Sequence, residues 1–233
     1  ALSSEDGDGG NTAIGFAALQ AQNAGQTAYN VAVGHAAGLA LSTGVRNTMI
    51  GGLAGDALTT GSFNIAIGYT ALGAEDAHGR NVAIGYAALA VQDAGADAHN
   101  VAIGFEAGLS VTTGTFNTIV GGTAGDALTT GAANTVLGAE ALSAEDTESF
   151  NTAIGSGALK LQDGGASNTA VGRQAGLRVT TGDNNTIVGA NAGDDLTTGS
   201  NNIIIGKNAA ASAVDVSNEI TLGDSNISAI RAQ

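Results

Sequence analysis

The sequence predicts an all-β protein, a parallel β-solenoid of about twelve short coils. Three observations carry that prediction. A five-residue unit, Asn-x-x-x-Gly, recurs along nearly the whole chain. The middle of that unit is apolar and largely β-branched, which favours strands. Glycine makes up 37 of the 233 residues and proline none, so breaks are regular and every backbone N–H is available to a ladder.

The units begin at Asn11, Asn30, Asn47, Asn64, Asn81, Asn100, Asn117, Asn134, Asn151, Asn168, Asn185 and Asn202. Successive starts keep one interval, that from Asn30 to Asn47, except for two steps that are longer by two positions, from Asn11 to Asn30 and from Asn81 to Asn100. A period this short leaves room for short strands and turns and none for a helix-containing repeat. Asn218 follows Asn202 one position early, with its glycine one position late at Gly223. A longer period lies on top: NTMIGGLAGDALTTGS, which begins at Asn47, returns four coils later as NTIVGGTAGDALTTGA, which begins at Asn117. This reading divides the chain into an N-terminal linker at 1–10, a repeat domain at 11–217 and a C-terminal exit segment at 218–233.

Within each unit the second position is Thr, Val or Ile and the fourth is Ile, Val or Leu. Alternate strand residues share a face, so these two are expected to fill the inside of the coil. The third position, always Ala, Met, Ile or Val, then points outward. An apolar outer face calls for a cover, and another copy of the chain is the simplest one. The Asn side chains are expected at corners, bonding backbone groups and one another from coil to coil. The second half of each coil reads AAL, AGL or AGDAL, often followed by Thr-Thr-Gly. It is expected to hold a second short strand with its Leu inward. At about 4.8 Å per coil the stack forms a rod.

Composition excludes several functions. With no Cys there are no disulfides, zinc fingers, iron–sulfur clusters or thiol nucleophiles. Seven Lys and Arg against 21 Asp and Glu give a net charge of −14, which disfavours nucleic acid and anionic membranes. No apolar run has the roughly 18 residues of a membrane helix, and ALSSEDGDGG lacks the parts of a signal peptide.

Units such as Asn81-Val82-Ala83-Ile84-Gly85 and Asn100-Val101-Ala102-Ile103-Gly104 resemble the head repeats of trimeric autotransporter adhesins. That resemblance implies a left-handed β-roll assembled as a homotrimer, although the family coil is generally shorter. Asn-Thr-Ala-Ile-Gly coils with Thr-Thr-Gly turns are also similar to those of bacteriophage tail fibres. The segment Asn218-Glu219-Ile220-Thr221-Leu222-Gly223-Asp224-Ser225, with Ile230-Arg231-Ala232-Gln233, resembles the stretch just upstream of the self-cleaving intramolecular chaperone of endosialidase-type fibres. The resemblance implies a virion tail structural protein and a matured or shortened product, since that chaperone is not within these 233 residues.

Catalytic chemistry is poorly represented. His35, His78 and His99 stand at or near corners, without a nucleophile elbow. A glycosidase needs two carboxylates at a fixed separation. The candidates are Glu75, Asp76, Asp93, Glu145, Asp146 and Asp163. They recur at the four-coil offset and read as solvated turn carboxylates, with cation binding as the lesser alternative. No catalytic residue, metal or cofactor is expected. The aromatics are more informative. Phe16, Tyr69, Tyr86 and Phe105 each follow a motif glycine, while Tyr29, Phe63, Phe116 and Phe150 each precede a motif asparagine. Corner packing explains such columns; the first also offers stacking platforms to a surface glycan. Beyond Phe150 the after-glycine column carries Ser156, Arg173, Ala190 and Lys207.

The expected function is therefore a non-enzymatic rod of a phage tail fibre supporting host attachment, with itself and a host glycan or receptor as partners. The alternative is an adhesin head on a bacterial surface, and a glycan depolymerase is the distant third.

Overall fold

In a computed structural model of the chain, residues 2, 9–75, 77–144, 147–227 and 229 are described. Asp76, Glu145, Asp146 and the Ile230–Gln233 stretch lie outside these residues. Thirteen three-residue strands stack in sequence order into one parallel sheet: β1 (Thr12–Ile14), β2 (Val31–Val33), β3 (Thr48–Ile50), β4 (Ile65–Ile67), β5 (Val82–Ile84), β6 (Val101–Ile103), β7 (Thr118–Val120), β8 (Thr135–Leu137), β9 (Thr152–Ile154), β10 (Thr169–Val171), β11 (Thr186–Val188), β12 (Ile203–Ile205) and β13 (Ile220–Leu222). Each strand pairs in register with the next, as Val31 with Thr48 and Val33 with Ile50. The fold is an all-β parallel solenoid of about twelve turns, and no helix occurs among the described residues.

The faces of the strand are the reverse of the sequence expectation. The third position, not the second and fourth, lines the interior: Ala32, Met49, Ala66, Ile119 and Ile187 are all fully buried. Positions two and four point outward, and Ile14, Ile50, Ile65, Ile103 and Leu137 are exposed. Alternation alone cannot tell the two faces apart when both are apolar. The interior is too narrow for two large rows, so the row with the small residues goes inside.

Size is matched across the lumen. In the coils of Ala66 and Ala83 a buried Leu72 or Leu89 complements the small third position. Around Met49 and Ile119 the neighbouring wall supplies glycines. A Cβ added to Gly38 would lie 2.8 Å from Met49 Sδ, and one added to Gly108 would lie 3.0 Å from Ile119 Cδ1. This complementarity is what close packing of a thin coil requires.

No second strand forms among the described residues. The facing wall alternates left-handed residues, such as Ala36 (φ 55°) and Gly38 (φ 59°), or Ala87 (φ 52°) and Leu89 (φ 49°). This backbone is not extended, yet it still bonds from coil to coil: Leu19 N–H donates to Ala37 O at 3.0 Å and Leu72 N–H to Ala88 O at 3.0 Å. The Leu of the AAL coils does point inward, whereas in the AGL coils Leu41, Val111 and Val179 take the buried place instead. The motif glycine is required where the wall turns. A Cβ on Gly34 (φ 141°) would sit 2.4 Å from the Gly51 carbonyl oxygen of the next coil.

The corner asparagines form a continuous side-chain ladder. Asn30 Oδ1 accepts the backbone N–H of Asn47 at 2.8 Å, and its Nδ2 donates to Gly44 O at 2.8 Å. The same Oδ1 bond runs on through Asn117, Asn134 and Asn151 to Asn202. At the C-terminal end the ladder corrects the sequence register. Glu219, not Asn218, occupies the thirteenth corner: its N–H donates to Asn202 Oδ1 at 2.9 Å, and β12 and β13 remain in register. Asn218 (φ 63°) takes the left-handed place that precedes each corner.

Candidate ligand-binding face

The after-glycine column is the most chemically distinctive surface of the rod. Strict register at a fixed coil spacing sets one residue of each coil directly above the next. Rings in that column therefore stack. Tyr69 and Tyr86 lie 5.8 Å apart between centroids, and Tyr86 and Phe105 lie 5.2 Å apart, with interplanar angles of 16° and 11°. Phe16 is separate from this row and stacks on His35 at 5.4 Å. Gly52 occupies the column between the two groups. All four rings are exposed, Phe16 by 76% and the other three by about half. The opposing column is also occupied: Phe116 stacks on His99 at 5.2 Å, and Arg46 and Arg80 lie over Phe63.

Further along, the after-glycine column enters a cleft of about 330 Å³ lined by Glu140, Ser156, Lys160, Arg173, Gln174 and Arg178, among others. Three of the chain's seven basic residues thus converge on one concavity of an acidic protein. Lys160 pairs with Glu140. Arg173 donates to the neutral oxygens of Gln174 and Asn191 at 3.0 and 3.2 Å, and Arg178 makes no ion pair among the described residues. Net positive charge is left over, and two guanidiniums suit carboxylate, sulfate or phosphate oxygens. The sequence reading had Ser156 and Arg173 in this column but missed Lys160 and Arg178. Those two are separated by one coil length plus one position, which is the signal that could have placed them on neighbouring coils.

The carboxylates divide. Asp93 and Asp163 are exposed. Glu75 is not a solvated turn residue, because its side chain is fully buried. Asp126, below the basic cleft, has its carboxyl pushed up by burial first, and further by the charges of Glu106 and Glu140. Glu219 is held down by hydrogen bonds from Ser212 and then Thr221. His35 and His99 are exposed within ring stacks, and no nucleophile stands in contact with either among the described residues.

No protein-family model matches the chain, and neither a curated protein nor a solved structure matches it significantly. No helix among the described residues is long and apolar enough to cross a membrane.

Proposed function

We propose that the chain is a non-enzymatic structural rod, a segment of a phage tail fibre that works as a homotrimer and supports attachment to a host-surface glycan. The observation that carries this reading is the outward apolar row of positions two and four, which runs the full length of a rod on one unbroken thirteen-strand sheet. Ile50, Ile103, Leu137 and Ile205 are exposed along that row, and an exposed apolar surface marks an interaction face. Three copies meeting along it bury it. The rod then carries no mobile catalytic part; its stiffness comes from the backbone and asparagine ladders. The aromatic row meets sugar faces, and the basic cleft takes the anionic groups of the same glycan.

The fibre reading is preferred to the bacterial adhesin head because the sequence Asn218–Ser225, with Ile230–Gln233, resembles a pre-chaperone segment. A virion tail is the corresponding location, and a bacterial surface the alternative. Light scattering on the purified chain tests the assembly: a mass three times 22.4 kDa is expected, and a monomer at 22.4 kDa sinks the trimer. Retention on immobilised acidic polysaccharide, weakened in Tyr86→Ala and Arg178→Ala, tests attachment. Release of reducing sugar from that polysaccharide would overturn the non-enzymatic reading.

A further inference from the structure

Glu75 is a charge in a place where the fold otherwise uses an amide. On the coil that leads into Asn168, the buried Gln162 accepts from the corner Nδ2 at 3.1 Å. Gln22 and Gln92 do the same for Asn30 and Asn100. On the coil that leads into Asn81 the chain has Glu75, fully buried, whose Oε2 accepts from Asn81 Nδ2 at 3.4 Å and whose Oε1 accepts the His78 N–H at 3.2 Å. Both of these donors are neutral groups. A buried carboxylate is costly unless a cation accompanies it.

The neighbouring groups have the chemistry of a cation site. His78 Nδ1 lies 3.6 Å from Glu75 Oε1, is shielded from solvent and makes no hydrogen bond. Asp93 comes from the following coil, and ligand atoms of Glu75, His78 and Asp93 all lie within 4.8 Å of one another. Ligands about 2.0–2.2 Å from a tetrahedral ion are roughly 3.4 Å apart. The His78–Glu75 separation already approaches that value, and Asp93 is exposed outside any strand.

We propose that Glu75, His78 and Asp93 form a binding site for a divalent transition-metal ion of the zinc class, with water completing the coordination. An imidazole with two carboxylates suits zinc, whereas calcium calls for six to eight oxygens. The two carboxylates match the ion's charge, and the ion gives the orphaned Nδ1 a partner. The site joins the coil that begins at Asn64 to the coil that begins at Asn81, so the ion acts as a clip between turns of the solenoid. The copy four coils on has Glu148 at the place of His78, so it lacks the imidazole. All three ligands come from one chain, and the site is independent of the trimer.

The test is calorimetric titration of zinc chloride into the chelator-stripped full chain, with cobalt(II) absorbance as a second readout. One ion per chain is expected, with tetrahedral cobalt bands and a rise in Tm on adding zinc. Glu75→Gln restores the amide of the other coils and so keeps the fold, which the circular dichroism spectrum verifies. It and His78→Ala should each bind zinc at least about tenfold more weakly, while His99→Ala binds as the parent does. Absence of zinc binding by the parent overturns the proposal. So does binding that survives both substitutions, since the ion then sits elsewhere, as does loss of binding in His99→Ala.

Discussion

The side-chain oxygen of Asn117 accepts the backbone N–H of Asn134 at 2.9 Å, while its Nδ2 donates to the Gly131 carbonyl at 2.9 Å. One buried amide thus satisfies a donor on the next coil and an acceptor at the turn. Asn117→Ala leaves both without a partner in a place water cannot reach. The expected loss is about 2–3 kcal/mol, read from urea unfolding. A variant as stable as the parent would remove the asparagine ladder from the account of the rod.

Met49 fills the space that glycines leave on the facing wall, so the pair predicts non-additivity. Gly38→Ala puts a Cβ 2.8 Å from Met49 Sδ and 3.0 Å from Leu19 Cδ2 at a φ of 59°. It should cost about 1–3 kcal/mol. Met49→Ala opens a cavity and should cost about 2–4 kcal/mol. In the double variant the new methyl enters the space that Met49 vacates, so the combined loss should be less than additive. Strict additivity, measured by the same unfolding curves, would show that the two do not share that space.

The residue before each corner is left-handed, whatever its type. Ala133 has φ 56°, and the later coils place Asn184, Asn201 and Asn218 there at 58°, 59° and 63°. Asparagine tolerates this conformation better than alanine. Ala133→Asn is therefore expected to raise stability by about 0.5 kcal/mol. Thermal unfolding decides it; a lower Tm contradicts the strain argument.

Asp126 predicts a pH dependence. Burial first, then Glu106 and Glu140, raise its carboxyl in the folded state, while a hydrogen bond from its own backbone N–H and then Lys160 oppose them. For an acid raised on folding, the contribution to stability is fully present below the unfolded value, 3.8, and is lost as pH rises through the folded one. Asp126→Asn should therefore melt higher than the parent at neutral pH, with the difference closing as the pH falls below that unfolded value. A difference that does not change with pH would assign the effect to packing.

Much of the architecture is legible in the residues. Asn-x-x-x-Gly at a near-constant interval sets the coil length, the strand within the motif and the corner, because each of these depends on local chemistry repeated at that interval. The aromatic columns are legible for the same reason: equal offsets from the motif become neighbours once strands are in register. The missing second strand was not, since AAL and AGL are compatible with extended or left-handed backbone, and only closure of the coil selects the latter.

The sequence by itself thus determined the repeat, the parallel stacking order and the surface columns. Tertiary structure decided what depends on fitting groups into a shared volume. Ala32 and Met49, not Ile50 and Ile65, face inward, because both faces of the strand are apolar and only closure of the coil selects which one is enclosed. Glu219 takes the last corner, because β13 must keep register with β12. Glu75, one of several similar carboxylates along the chain, is enclosed beside His78 and Asp93 because the path of two coils brings them together. Periodicity follows from local preference; burial follows from the space that remains when the coils close.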